Sequence, residues 1–478
     1  MKRKFFALAL VLLLALPLAL AGCNDDKGET YVWTKGEGKL VDLSAAPEGI
    51  AEQYRYLYDQ VIVGDKSTTG LDYVAHPDSV LLDNGDIITA FSLGHGKGGT
   101  AMRISRDKGL SWEVMDLPDS FANNQETPTI YKLNFTDGTQ KLVLISGRPS
   151  WPDVGNLGEG WDASVSTSLD PDGNCNGLEW SEMENFYGPN ADRTKYVREA
   201  GAEKFDAVVA MSALVQLKEN GKFVDKWMGL YHDDRTFTVY KTILTFNEEG
   251  QMEWSEPVRM LGRNGKWREY EEIGYTRWFK GEVVHTGGNS FCETEILRSP
   301  DGKELAALFR VNAKSNYSFV SFSTDEGETW SEPQTVAPEL TGERHKAEYD
   351  PDTGKLVITM RNISAGEDGL LASNHFRSRG WVAWIGEYED LKKGADGKGD
   401  MLVKLAHTYG TDGTEITEYA NADTGYAGLV VYPDGTFVTT SYGYFSPASD
   451  EEHGGQSYII SKQFKVKDLA AMAGVTLR

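Results

Sequence analysis

The sequence has few cysteines, a deficit of basic residues and almost no helical periodicity. Only three of its 478 residues are cysteine, and after Cys23 only Cys175 and Cys292 remain, so disulfides are not expected to organise the fold. The net charge of −24, with 72 acidic against 48 basic residues, argues against a nucleic-acid partner. The longest apolar run, residues 5–19, is too short and wrongly flanked for a membrane span. Only 46–59 has a helix-like pattern, which argues against a helical fold.

The apolar run belongs to an N-terminal leader. Residues 1–4 are basic, the apolar run follows, and small residues precede Cys23, which is the pattern of a signal peptide over 1–22. Leu20-Ala21-Gly22-Cys23 resembles the lipobox of exported bacterial lipoproteins, in which the cysteine carries lipid. The alternative is an ordinary signal peptide with a chance cysteine. We predict a lipid-anchored protein of the outer membrane, cell surface or periplasm, with 23–45 as a tether and ring-closing strand.

Two stretches of the chain share the pattern S-x-D-x-G-x-x-W. Residues 105–112 and 323–330 match it fully, and looser copies lie at 168–180 and 247–254. The aspartate can bond the backbone of its own turn, the glycine permits positive φ, and the tryptophan can pack beneath a hairpin. We therefore interpret these residues as structural.

A longer unit of two apolar strands joined by a tight turn recurs six times. The units begin near residues 79, 129, 213, 295, 346 and 428, mostly with Asn-Gly or Asp-Gly turns. Each is followed by further strand-like runs, and four strands per unit describe a propeller blade. We predict an all-β fold, a six-bladed β-propeller that forms one catalytic domain over 46–478. A seventh blade is left open by the unassigned stretch 256–285.

In a propeller, the residues before each first strand and after each second strand meet around one opening of the central channel. Here this set is rich in Arg, His, Tyr and Glu, and arginines gathered in an acidic chain point to an anionic ligand. The candidate substrate-binding residues are His76, Lys97, Arg148, His232, Glu293, Arg310, His345, Arg361 and Tyr442. The alternatives are that Arg148 pairs with a nearby acid, that Glu293 only balances Arg310, and that His345 bonds only backbone.

His95 is the sharpest single candidate for chemistry. It lies in Gly94-His95-Gly96-Lys97-Gly98-Gly99, where glycines allow backbone and ligand to approach closely. His232-Asp233-Asp234 could be half of a metal site, but three such residues alone are a weak signal. No cofactor is therefore assigned, and a structural divalent metal is left open.

The chain resembles sialidases and other Asp-box glycan enzymes over nearly its whole mature length. Tyr426-Ala427-Gly428-Leu429, running on to Asp434-Gly435, resembles the stretch that carries their tyrosine nucleophile, and Glu293 followed by Asp301-Gly302 and Arg310 resembles that of their helper glutamate. The resemblance implies a retaining glycoside hydrolase. It breaks at Val74-Ala75-His76-Pro77, where a motif like F-R-I-P would carry the first arginine, and at His95 with Lys97, near the place of the acid aspartate. An incomplete arginine triad argues against sialidase activity.

The pattern also resembles the β-propeller lyases that cleave ulvan, a sulfated, uronate-containing polysaccharide. That resemblance implies β-elimination, with Arg148, Arg310 and Arg361 neutralising the carboxylate. His95 and either Tyr231 or Tyr426 would transfer the protons, with a tyrosine pKa lowered by positive neighbours. This lyase for an anionic polysaccharide is the leading hypothesis. The hydrolase that uses Tyr426 and Glu293 is second, and a non-catalytic glycan-binding lipoprotein is third.

Overall fold

Six sheets of four or five strands follow one another along the chain as the blades of a β-propeller in the computed structural model. The structure describes residues 38–96, 98–124, 126–149, 160–188, 208–232, 239–260, 276–279, 282–286, 291–311, 318–364, 377–414 and 423–478. Only the backbone is described for 276–279, 282–286, 363–364 and 377–379. The prediction of a six-bladed all-β fold is confirmed.

The first three blades are built in chain order. Blade one contains β3 (Ala75–Leu81), β4 (Ile87–Ser92), β5 (Thr100–Ser105) and β6 (Glu113–Val114). Blade two contains β7 (Glu126–Asn134), β8 (Gln140–Gly147), β9 (Gly160–Val165) and β10 (Glu184–Tyr187). Blade three contains β11 (Ala213–Glu219), β12 (Lys222–His232), β13 (Val239–Phe246), β14 (Met252–Trp254) and β15 (Val258–Arg259).

The remaining blades follow a separate two-stranded hairpin. That hairpin, β16 (Thr276–Phe279) with β17 (Glu282–Thr286), occupies part of the stretch left unassigned by sequence. Blade four contains β18 (Phe291–Arg298), β19 (Leu305–Val311), β20 (Phe319–Ser323) and β21 (Gln334–Thr335). Blade five contains β22 (Gly342–Tyr349), β23 (Leu356–Ser364), β24 (Arg377–Gly386) and β25 (Met401–Lys404). Blade six contains β26 (Ala427–Val431), β27 (Phe437–Gly443) and β28 (Tyr458–Phe464).

Two N-terminal strands complete the last two blades. β2 (Val61–Gly64) pairs antiparallel with β28 and supplies the fourth strand of blade six, which closes the ring. β1 (Lys39–Asp42) pairs parallel with β25 in blade five. The ring is therefore closed by the chain's N-terminal part, but the strand within 23–45 joins blade five and not the last blade.

Helices are short and lie outside the sheets. The α-helices are Lys66–Thr69, Tyr388–Lys392 and Val466–Ala473, and the 3-10 helices are Glu52–Tyr58, Asp119–Asn123, Pro338–Leu340 and Gly394–Asp396. The helix-like pattern at 46–59 is thus realised as a 3-10 helix. No helix among the described residues is long and apolar enough to cross a membrane. Cys175 and Cys292 are both free thiols.

The two S-x-D-x-G-x-x-W stretches fold as the sequence predicts. In the first, the Ser105 hydroxyl donates to Asp107 at 2.8 Å, and Asp107 accepts from the Ser111 amide at 2.8 Å. In the second, Asp325 accepts from the Ser323 hydroxyl at 2.7 Å and from the Thr329 amide at 2.9 Å. These bonds tie the aspartate to its own turn between the third and fourth strands, so the motif is structural.

The innermost strands of four blades begin with a β-bulge that the sequence does not reveal. The bulges lie in β3, β7, β18 and β22, and each holds a non-glycine residue at positive φ: His76 (+53°), Thr127 (+42°), Glu293 (+34°) and Arg344 (+47°). Such a conformation costs on the order of 1–3 kcal/mol per residue and persists where the surroundings enforce it. A bulge re-aims the side chains at the strand end, here at one opening of the channel.

Candidate functional site

Ten side chains form one continuous cluster at the bulged ends of the inner strands, and we call it the mouth cluster. Each contacts at least one other member through a hydrogen bond, ion pair or ring contact. Its members are His76, His95, Glu126, Glu293, Arg310, Glu343, Arg361, Asp423, Tyr426 and Tyr442. Seven of these ten were predicted as site residues, whereas Glu126, Glu343 and Asp423 were not. The structure thus brings most of the predicted residues together.

The Tyr426 hydroxyl lies between a carboxylate and a guanidinium of the mouth cluster. It donates to Glu293 Oε2 at 2.9 Å and accepts from Arg310 Nη1 at 2.5 Å. Arg310 Nη1 also contacts Glu293 Oε2 at 2.6 Å, so the three groups form a closed triangle. Tyr426 is 5% exposed and Glu293 is 3% exposed. The proton of the phenol therefore points at a buried carboxylate while its oxygen is held by a cation.

The electrostatics of this triangle fix both protonation states. Burial alone would raise the pKa of Glu293, but Arg310 and, more weakly, Arg344 lower it to about 2. Burial and the Glu293 charge raise the pKa of Tyr426 well above its ordinary value, although Arg310 opposes the change. Glu293 is therefore ionised and Tyr426 protonated at neutral pH. The expectation that positive neighbours would lower a tyrosine pKa here is wrong, because burial and carboxylates outweigh them.

A second group of charged side chains in the mouth cluster surrounds Glu343 and Arg361. Glu343 bridges two arginines, with 2.9 Å to Arg310 Nη2 and 2.8 Å to Arg361 Nη1. Arg361 also contacts Asp423 at 3.0 Å and the Tyr442 hydroxyl at 2.5 Å. The Tyr442 hydroxyl in turn donates to Asp423 at 2.6 Å. Arg310 and Arg361, two of the three predicted arginines, are thus held by carboxylates of the protein, which offsets the positive charge inferred from the sequence.

Also next to Tyr426, two histidines flank a buried glutamate. His76 Nδ1 lies 2.9 Å from Glu126 Oε1, and His95 Nδ1 lies 3.8 Å from the same oxygen. The His76 ring is 5.1 Å from the Tyr426 ring and 5.2 Å from the His95 ring. Glu126 and His76 are buried, whereas the His95 side chain is 49% exposed. Burial lowers the pKa of His95, and Glu126 opposes this.

Two further predicted histidines, His232 and His345, lie near the triangle of Tyr426, Glu293 and Arg310. His232 Nδ1 accepts from the Glu293 amide at 3.3 Å, and its charge is one of the influences that lower the Glu293 pKa. His345 Nε2 contacts the Leu340 carbonyl oxygen at 2.9 Å, and burial lowers its pKa to about 4. Both are buried. They support the backbone and the carboxylate of the site, and do not face its opening.

Tyr231 does not join the mouth cluster. Successive side chains of a strand point to opposite faces, and because His232 points toward Glu293, its neighbour Tyr231 must point the other way. Its ring packs 5.3 Å from Trp161 and stacks 5.6 Å from Tyr240, in the core of blades two and three. Tyr231 is 1% exposed. The prediction of a proton-transfer role for it is therefore withdrawn.

The other predicted residues lie either outside the mouth cluster or outside the described part of the chain. Arg148 pairs with Asp162 in blade two at 2.7 Å, which is the alternative that the sequence left open. Lys97 and Cys23 lie outside the described residues, as do Asp233 and Asp234 of the suggested metal half-site. Two further residues beside the mouth cluster were not predicted from the sequence. The Tyr73 hydroxyl donates to Asp423 at 3.1 Å, and the Arg344 guanidinium lies 5.7 Å from the Tyr426 ring centre.

The sequence matches no protein-family profile, and no curated protein is similar to it. Similar solved structures include a protein of unknown function from Dyadobacter fermentans, 16% identical over 85% of this chain and 98% of its own, with a TM-score of 0.52. The intramolecular trans-sialidase from Ruminococcus gnavus is 14% identical over 85% and 97%, with a TM-score of 0.48. The GH93 α-L-arabinofuranosidase of Fusarium graminearum is 12% identical over 86% and 98%, with a TM-score of 0.46. Similarity at this level concerns the propeller fold, so the chemistry must be argued from the mouth cluster itself.

Proposed function

We propose that this chain is a retaining glycoside hydrolase whose nucleophile is Tyr426. The observation that carries the proposal is the triangle of Tyr426, Glu293 and Arg310, in which the phenol donates to one partner and accepts from the other. A nucleophile of high pKa needs an adjacent base, and Glu293 is ionised and within hydrogen-bond distance. The oxygen that becomes negative as the proton leaves already accepts from Arg310, so the developing charge meets a cation that is in place.

The reaction then follows from these contacts in two displacements. Tyr426 Oη bonds to the anomeric carbon, its proton passes to Glu293, and the glycosidic C–O bond breaks as the leaving oxygen takes a proton from the opposite side of the sugar. In the second displacement, water attacks the same carbon and gives a proton to that opposite side. The bond to Tyr426 breaks, and Glu293 returns the proton to the phenol. Two inversions leave the anomeric configuration retained.

The group of His76, Glu126 and His95 lies next to Tyr426, with the His76 ring 5.1 Å from the Tyr426 ring. His95 is the member of this group that reaches solvent, and it is separated from Tyr426 by the His76 ring. A sugar seated over Tyr426 would therefore have His95 beside its leaving group. We assign the proton donor of the first displacement to this side of the mouth cluster.

A lyase acting on an anionic, uronate-containing polysaccharide of the ulvan type is the second candidate. One observation favours it: His95 is half-exposed, and burial lowers its pKa, so a neutral imidazole able to accept a C5 proton faces the opening. The pairing of Arg310 and Arg361 with buried carboxylates argues against it, because elimination needs a cation to neutralise the uronate. The protonated state of Tyr426 likewise suits a nucleophile with a helper base better than a phenolate base.

Export as a lipoprotein remains part of the proposal. It rests on the signal-peptide pattern of 1–22 and on the small residues directly before Cys23. Expression with a labelled fatty acid should label the wild-type chain, and Cys23→Ser should abolish the label. An unlabelled wild-type chain that is nevertheless cleaved before residue 23 would remove the lipid anchor from the proposal.

The test of function uses two readouts on the same incubation. The protein is mixed with neutral and uronate-containing polysaccharides and with aryl glycosides, and both new reducing ends and the ultraviolet absorbance of unsaturated uronates are followed. The hydrolase predicts reducing ends without that absorbance. Absorbance that rises with the reducing ends would instead establish the lyase. Binding without either product would establish a non-catalytic glycan-binding protein.

A matched pair of tyrosine variants locates the activity. Tyr426→Phe removes the hydroxyl that contacts Glu293, whereas Tyr432→Phe removes a hydroxyl just beyond the other end of the same strand, where it donates to the Gly85 carbonyl at 2.7 Å. The proposal expects activity to fall at least a thousandfold in the first variant and to stay within about twofold in the second. Equal activities in both variants would end the assignment of Tyr426.

A further inference from the structure

Outside the triangle of Tyr426, the mouth cluster contains three side chains whose ligand atoms converge. His76, His95 and Glu126 each offer one such atom, and all three atoms lie within 4.8 Å of one another. They come from separate segments: the bulge of β3, the loop after β4, and the first residue of β7. We propose that these three residues bind a divalent transition-metal ion, with Zn²⁺ as the probe of choice. The inference goes beyond glycoside hydrolysis and does not depend on it.

The distances suit an ion of that size. Zinc bonds of about 2.0–2.2 Å in tetrahedral geometry place neighbouring ligand atoms roughly 3.3–3.5 Å apart. Glu126 Oε1 lies 2.9 Å from His76 Nδ1 and 3.8 Å from His95 Nδ1, values that bracket this spacing. Because the three ligand atoms lie within 4.8 Å of one another, bringing them all to this spacing requires a movement of the half-exposed His95 ring.

The surrounding groups orient two of the three ligands, Glu126 and His76. The Gly96 amide donates to Glu126 Oε2, and the Thr127 hydroxyl donates to Oε1 at 2.9 Å, so the carboxylate is fixed through both oxygens. Ser92 donates its hydroxyl proton to the Ala75 carbonyl at 3.0 Å, so its 3.4 Å contact with His76 Nδ1 does not occupy the nitrogen lone pair. Hydrogen bonds of this kind are typical of the outer shell of metal sites.

The donor set and its exposure identify the type of site. Two imidazoles with one carboxylate favour first-row transition ions over Mg²⁺ and Ca²⁺, which prefer oxygen ligands. Glu126 and His76 are buried while His95 is half-exposed, so an ion here would keep one side open toward solvent and the mouth. Three protein ligands with an open position are the pattern of catalytic zinc. If the proposed hydrolase is correct, an ion held by these residues would supply an acidic water beside Tyr426.

The experiment measures metal binding to the full chain without any glycan. Protein freed of metal with a chelator is titrated with Zn²⁺ by calorimetry and with Co²⁺ by visible absorption. We expect one ion per chain, the visible bands of a Co²⁺ ion with four or five ligands, and at least a tenfold loss of affinity in both Glu126→Gln and His95→Ala. Tyr426→Phe should bind Zn²⁺ normally, so a failure of the hydrolase leaves this result intact.

The control is a second imidazole–carboxylate pair elsewhere in the molecule. His453 Nε2 lies 3.2 Å from Asp65 Oδ2, a pair that is not among the three-ligand clusters found in the described part of the chain. His453→Gln should therefore leave Zn²⁺ affinity unchanged, and thermal melting verifies that each variant is folded. Wild-type protein that binds no Zn²⁺ at micromolar concentration would overturn the proposal. So would binding that the Glu126→Gln and His95→Ala variants retain.

Discussion

Glu343 offers the sharpest test of how the mouth cluster is held together. Its carboxylate is 4% exposed and is shared by Arg310 at 2.9 Å and Arg361 at 2.8 Å. Glu343→Gln keeps the shape of the side chain but removes the charge that both guanidiniums face. Breaking a buried ion pair costs about 3–5 kcal/mol. Because Arg310 retains Glu293 and Arg361 retains Asp423, we expect a loss of about 3 kcal/mol in the free energy of unfolding.

Urea unfolding followed by tryptophan fluorescence measures this loss, with the slope of the transition serving to verify that both proteins unfold alike. The control is Glu326→Gln, which removes a two-bond contact with Arg298 at 2.6 and 2.8 Å. The Glu326 side chain is 23% exposed, so we expect a loss of about 1 kcal/mol. If Glu343→Gln lowers the free energy of unfolding by no more than Glu326→Gln does, burial does not make the ion pairs of Glu343 more stabilising than a partly exposed pair.

Three further predictions follow from other parts of the structure. Burial raises the pKa of Glu295 to about 8, although Lys346 opposes the change, so the carboxyl group of the folded protein is protonated at neutral pH. The free energy of unfolding should therefore fall as the pH rises from 4.5 to about 8, with a loss of about 3 kcal/mol by pH 7. Unfolding measured as a function of pH should show that Glu295→Gln removes this loss. Glu293→Gln also breaks a buried ion pair, with Arg310, so it should lower the melting temperature as well as glycoside turnover. Assayed where thermal melting shows the variant folded, turnover should fall at least a hundredfold, and unchanged turnover would remove Glu293 as the base. Asp107→Ala should cost about 1–2 kcal/mol in unfolding because it loses the turn bonds of blade one, yet turnover should be unaffected; a turnover defect would contradict its structural role.

Blade count and hairpin positions could be predicted because they depend on local signals. Alternating strands and Gly-containing turns determine each hairpin within about 15 residues of chain. The bulges could not be predicted, since no residue type marks them here. In blade five the expected first strand began at Lys346, whereas β22 begins at Gly342. Glu343 and Arg344 were therefore missed, although they lie two or three residues from the expected strand start.

The pairing of charges at the mouth could not be predicted for a different reason. Arg361 was expected to face a ligand, but its partner Asp423 lies 62 positions away in the sequence, beyond the reach of local pattern. The orientation of Tyr231 was within reach, because strand alternation allows only one of Tyr231 and His232 to face the site. His232 contacts the Glu293 amide and therefore faces the site, so the alternation directs the Tyr231 side chain to the opposite face of the strand.

The most direct measurement for the proposed function is the identity of the covalently modified residue. A 2-fluoro glycosyl fluoride of the sugar that the screen shows to be released would slow the second displacement, and peptide mass spectrometry would then locate the sugar. The account predicts one sugar on the peptide that contains Tyr426, and none on that peptide in Glu293→Gln under the same conditions. A sugar bound to another residue, or complete turnover with no adduct and unsaturated products, would contradict it.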